Sequence, residues 1–176
     1  MKSLSVAVLV ALLACAPPVI AQSSAQSSPE DRARFISITQ KLQEAPLDPT
    51  LRADRQWAMK WLTEAPDVSV NACLTPLGGA SLARYAHFDE IVAQYTFAMA
   101  TLIIQHPEAA KDSQGQQLAG VEGGLSAYRS MLRADPKAKS IALDKLLKMQ
   151  RRGELPGIVR SSLSRCDGKG EEIHLR

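Results

Sequence analysis

The chain has 176 residues, a formal net charge of +3 and 45% hydrophobic residues. That length, less an N-terminal leader, fits one domain, and so small a net charge gives no global pull towards nucleic acid. The charge is nevertheless divided along the chain. Residues 22–128 carry 8 basic and 12 acidic side chains, whereas residues 129–169 carry 11 basic and 4 acidic, which makes the C-terminal third a cationic segment.

Residues 1–21 have the layout of a secretory signal peptide: Lys2, an apolar run from Leu4 to Ala14, and a small-residue exit at Val19-Ile20-Ala21 with cleavage expected after Ala21. Leu12-Leu13-Ala14-Cys15 also resembles a bacterial lipobox, so the alternative is a lipoprotein anchored through Cys15. Both routes lead to the bacterial periplasm or beyond, where thiols oxidise, and Cys73 and Cys166 are expected to form one disulfide. Closing a loop of roughly a hundred residues is worth ~4–5 kcal/mol in the chain-entropy account.

Residues 22–28, QSSAQSS, are expected to be a disordered lead-in. Ser28-Pro29-Glu30-Asp31 then gives a helix start, with a capping hydroxyl, proline in the first turn and acids at the positive end of the dipole. Phe35, Ile38, Leu42 and Ala45 form its apolar stripe, and Pro46 ends it. Asp48-Pro49 repeats the start signal for a second helix reaching about Glu64. Trp57 and Trp61 lie one turn apart on it, suited either to core packing or to a cation–π platform. From Pro66 to Arg84 the prolines and glycines predict a long connection, with a short extended piece at Val68–Val70.

His87–Gln105 is the longest apolar run after the leader. Phe88, Ile91, Val92, Tyr95, Met99 and Leu102 recur at helical spacing, and Ala93, Phe97, Ala100 and Ile104 make the opposite side apolar too. A helix apolar all round is a buried one. Gln94, Thr96 and Thr101 interrupt the run well short of the ~20 apolar residues of a membrane span. This is expected to be the central helix of a bundle.

The next helix, from about Gln114 to Ala134, has a stripe of Leu118, Val121, Leu125, Tyr128 and Leu132. It also holds Gly115, Gly120, Gly123 and Gly124, each costing ~1 kcal/mol against alanine inside a helix. Two accounts justify them: close approach of a neighbouring helix, or a ligand groove over the glycine-rich face 115–127, lined by Gly120, Gly123 and Gly124. Gly123-Gly124 is also a possible break. Residues 124–136, GLSAYRSMLRADP, resemble the second helix of a tetratricopeptide repeat in the spacing of Gly124, Tyr128 and Pro136. No recurrence at that repeat's period follows, an amphipathic helix ending at Asp-Pro gives the same pattern, and no family membership is assigned.

Asp135-Pro136 is read as opening a further helix to about Arg152, capped by Gly153. Lys148, Arg151 and Arg152 near its end favour the helix dipole and also form a candidate patch for an acidic partner or anionic surface. A last helix, about Leu155–Cys166, keeps Val159, Leu163 and Cys166 in register, and residues 167–176 are expected to fray.

Catalytic signatures are missing. His87, His106 and His174 have no second ligand at metal spacing, and there is no nucleophile elbow, CxxC pair or phosphate loop. The expectation is an exported, all-α, single-domain bundle of five to six helices over residues 29–166. It would use no cofactor or metal and would bind another protein without catalysis, as an inhibitor or accessory subunit does. The alternatives are a lipid or small-ligand carrier using the glycine face, and a hydrolase assembled from dispersed residues.

Overall fold

A computed structural model describes residues 26–166 and, for the backbone, the strand 172–175. The expected signal peptide, Cys15 and residues 167–171 lie outside the described residues. Six α-helices are described: α1 (Pro29–Glu44), α2 (Arg52–Glu64), α3 (Phe88–Gln105), α4 (Ser113–Ala134), α5 (Ile141–Arg151) and α6 (Leu155–Cys166). The all-α expectation holds.

Helix α3 is the hub. Its buried residues include Ile91, Gln94, Tyr95, Phe97, Met99, Ala100 and Ile103, which between them cover every side of the helix. It packs most extensively on α4 and also touches α1 and α2. Each fully buried large apolar side chain contributes ~1.5–3 kcal/mol. Most of its buried polar groups find partners: the Gln94 side-chain amide donates to the Thr39 carbonyl of α1 at 2.8 Å, and the Tyr95 hydroxyl donates to the Cys73 carbonyl at 2.7 Å, whereas the buried Thr101 hydroxyl has no partner among the described residues. Burial drives the Tyr95 pKa far above its ordinary value, so this donor stays protonated.

The glycines of α4 are explained by α3. The helix runs unbroken through Gly123-Gly124. A Cβ at Gly123 would stand 2.4 Å from the Ala98 Cβ and 3.2 Å from the Gln94 carbonyl oxygen, and one at Gly120 would stand 2.7 Å from the Tyr95 ring. Gly124 faces Ile91 and Leu77. The ligand groove expected there is corrected: protein fills this face, because removing three side chains lets the two helices close together. Gly115 has another reason, sitting 2.4 Å by the same measure from the Asp112 carboxylate that caps α4.

Several boundaries differ from expectation. The second helix begins as a 3-10 turn at Pro49–Leu51 before turning α at Arg52. Asp135-Pro136 opens no helix: the Asp135 carboxylate accepts from the Lys137 amide in a turn, and α5 starts only at Ile141 with Ser140 as cap. The 66–84 connection contains the strand β1 (Val70–Cys73), just past the expected extended piece, and 3-10 turns at Thr75–Leu77 and Gly79–Arg84. Within the expected tail, Glu172–Leu175 forms a strand, β2, antiparallel to β1 with Val70 opposite Leu175. Of the lead-in, Ser27 is placed: its amide donates to Asp67, 3.1 Å away, and its hydroxyl accepts from Arg32.

Cys73 and Cys166 are joined in a disulfide with their Cα atoms 6.0 Å apart. Cys73 is buried at the end of β1, and Cys166 is half-buried at the end of α6. The bond therefore fixes the last helix to the mid-chain connection. Trp61 packs on Phe35 of α1 with ring centroids 4.8 Å apart. Trp57 stacks on Trp61 and is covered by the Arg34 guanidinium at 3.9 Å. The cation–π partner is thus one of the chain's own side chains.

Candidate functional site

An open groove of about 740 Å³ lies between α5, α6 and the 75–85 connection. That volume lies within the range of ligand sites.

Its first wall is built by the connection. Pro76 fixes one 3-10 turn, and Gly78 follows at φ 108°, a left-handed conformation that L side chains rarely adopt. The turn aims Leu77 and Leu82 inward, both fully buried, and leaves Thr75, Gly78, Ser81 and Arg84 facing the groove. Tyr85 ends this wall by donating a 2.8 Å hydrogen bond to the Ala138 carbonyl.

The second wall is α5 and the turn leading into it. The Tyr128 hydroxyl organises that turn from α4: it accepts from the Ser140 amide at 2.8 Å and donates to the Asp144 carboxylate at 2.9 Å. Burial, assisted by Asp144, pushes the Tyr128 pKa up to about 12, and the hydroxyl stays protonated as a donor. Burial likewise raises Tyr85 far above its usual value, with the neighbouring Tyr128 adding to it. With its start so fixed, α5 buries Leu143 and Leu146. It turns Ala142, Lys145 and Met149 to the groove and leaves Ile141 at the rim, 92% exposed. A single exposed apolar side chain is ordinary on a protein surface, and Ile141 matters here because it borders the groove's apolar lining.

The third wall is α6, where Leu155 and Val159 face the core and Ile158, Ser162 and Arg165 face the groove. The Arg165 guanidinium donates to the Ser162 hydroxyl at 3.2 Å. The result is an apolar floor of Pro76, Ala142, Leu146, Met149 and Ile158 beneath four cations, Arg84, Lys139, Lys145 and Arg165, with no carboxylate in the lining.

Two of the lining hydroxyls are taken up in local hydrogen bonds. Ser140 is occupied as the α5 cap and Ser162 as the acceptor for Arg165. Neither hydroxyl is joined to a histidine or carboxylate that would activate it. His87 lies 4.0 Å from Glu90, and His106 lies 3.5 Å from Glu108, and neither lines the groove. No group of three His, Cys, Asp or Glu side chains able to hold a metal ion occurs among the described residues. No helix among them is long and apolar enough to cross a membrane.

The expected cationic patch lies elsewhere. Lys148, Arg151 and Arg152 are exposed near the end of α5. None of them lines the groove, and Arg152 is engaged by Glu154 at 2.8 Å. The groove cations come instead from four separated places in the sequence. For Lys139, Lys145 and Arg165 the signal was the surplus of basic residues after Tyr128, which gives no register, and for Arg84 there was none. The chain matches no protein-family model, no curated protein and no solved structure.

Proposed function

We propose that the protein is an exported, non-catalytic binding module that holds a segment of another protein in the groove between α5, α6 and the 75–85 connection. One observation carries this: a large hydrophobic side chain, Ile141, stands exposed on the edge of an open apolar groove whose charged lining is entirely cationic. Protein recognition surfaces have this build, with an apolar centre inside a polar rim. The Cys73–Cys166 disulfide supports export, because such a bond persists in an oxidising compartment.

Photocrosslinking in the cell envelope tests it. A photoreactive phenylalanine at position 141 should give discrete protein adducts, and the same group at exposed Lys60 on α2 should give none. Changing Lys139, Lys145 and Arg165 to Glu should abolish the adducts, while changing Lys148, Arg151 and Arg152 to Glu should leave them. Absence of adducts at 141, or the reverse dependence on the two sets of cations, would overturn the proposal.

A further inference from the structure

We infer that the groove's occupant is an acidic amphipathic segment of a partner protein, with apolar anchors seated on the floor and carboxylates turned to the rim. This rests on the groove being the binding surface and goes on to state what it binds.

Charge complementarity is the ground. Arg84 ends a 3-10 turn, Lys139 precedes α5, Lys145 lies within α5, and Arg165 lies near the end of α6. Four positive charges from four segments therefore surround one apolar floor. None of the four is in an ion pair with a carboxylate among the described residues, whereas Arg32, Lys60 and Arg152 are. Unpaired cations of like sign around a single depression repel one another, and a polyanionic ligand relieves that repulsion.

The shape separates two kinds of anion. A single-chain fatty acid presents one charge at one end and needs its tail enclosed. This groove is open along its length and spreads its charges around the floor. A peptide with several carboxylates flanking apolar side chains satisfies both features, and Ile141 at the edge extends the apolar contact beyond the floor.

The test uses the mature protein and a labelled amphipathic peptide with leucines on one face and glutamates on the other. A twin peptide has lysines in place of the glutamates, and palmitate and phosphatidylglycerol vesicles serve as the other anions. Fluorescence anisotropy should show the glutamate peptide binding at least about tenfold more tightly than its twin. The difference should collapse between roughly 0.01 M salt, where charges act over about 30 Å, and roughly 1 M, where they act over about 3 Å. Changing Lys139, Lys145 and Arg165 to Glu should reverse the preference, so that the altered protein takes the lysine peptide. That gain of binding excludes simple misfolding. Equal binding of the two peptides, or binding of palmitate or vesicles without the glutamate peptide, would overturn the inference. If adducts still formed at position 141, the groove would stand as the binding surface and only its occupant would be misassigned. If the adducts were also absent, both would fall.

Discussion

Two glycines show how much a missing side chain depends on its surroundings. Gly157 has nothing within 4 Å of the position a Cβ would take, so Gly157→Ala in α6 should stabilise the protein by ~0.5–1 kcal/mol through helix propensity alone. Gly123→Ala offers the same propensity but meets the Ala98 Cβ and the Gln94 carbonyl of α3. It should destabilise by ~1–3 kcal/mol, since overpacking outweighs the local gain. Urea denaturation of the two variants should therefore move the midpoints in opposite directions. Asp67 makes a third residue-scale case. Its partial burial opposes ionisation, but hydrogen bonds from Ser27 and the charge of Arg32 outweigh this and hold its pKa below the ordinary 3.8. A depressed folded pKa stabilises the fold above the unfolded value, and the contribution disappears as pH falls through the folded one. Asp67→Asn should thus cost up to about 1 kcal/mol at neutral pH. The gap between the thermal midpoints of variant and wild type should narrow as pH falls below 3.8 and through the lowered folded pKa, and a gap that stays constant would show that the carboxylate charge is irrelevant.

At the level of elements, the disulfide sets the hierarchy. α6 is amphipathic and short, with Leu155, Val159 and Ser162 as its buried residues, and a bond at its far end fixes it to β1. Replacing Cys73 and Cys166 together by Ser should cost ~2–5 kcal/mol in urea denaturation. Amide exchange should accelerate first in α6, because the α3–α4 pair keeps its own packing. How much of this was legible follows from the range of each interaction. The all-round apolarity of α3 and the glycine spacing of α4 are local patterns, and they announced the central pair correctly. The start of α5 misled because Asp-Pro serves equally for a helix start and a turn. What decides between them is the Tyr128 hydroxyl, which holds the Ser140 amide from a different helix. Strand β2 was illegible for the same reason: its partner β1 lies about a hundred residues earlier in the chain, and pairing at that distance leaves no periodicity behind.

At the level of the whole molecule, the cationic third of the sequence becomes one side of a groove. Basic residues after Tyr128 announced a cationic surface, but only the fold selects Lys139, Lys145 and Arg165 from among them, and it recruits Arg84 from the first half of the chain. A reading along one helix finds the cations of the last turn, Lys148, Arg151 and Arg152, because the dipole marks them. The groove itself was invisible, since the wall from the 75–85 connection lies far along the chain from the two that α5 and α6 supply. Its walls are also linked covalently: Cys73 lies just before the first wall and Cys166 just after the third. Any partner therefore meets a cleft whose width is set before it arrives, which lowers the entropy lost on docking.

The stretch from Asp67 to Cys73 anchors both extremities of the described chain. Ser27 and Arg32 bond to Asp67, and Glu172–Leu175 lies along Val70–Cys73. The molecule accordingly behaves like a ring with a single clasp. Tethers grafted beside Ser27 and beside the 172–175 strand would both emerge near this stretch, and pulling them apart would load these seven residues together with the start of α1, which holds Arg32.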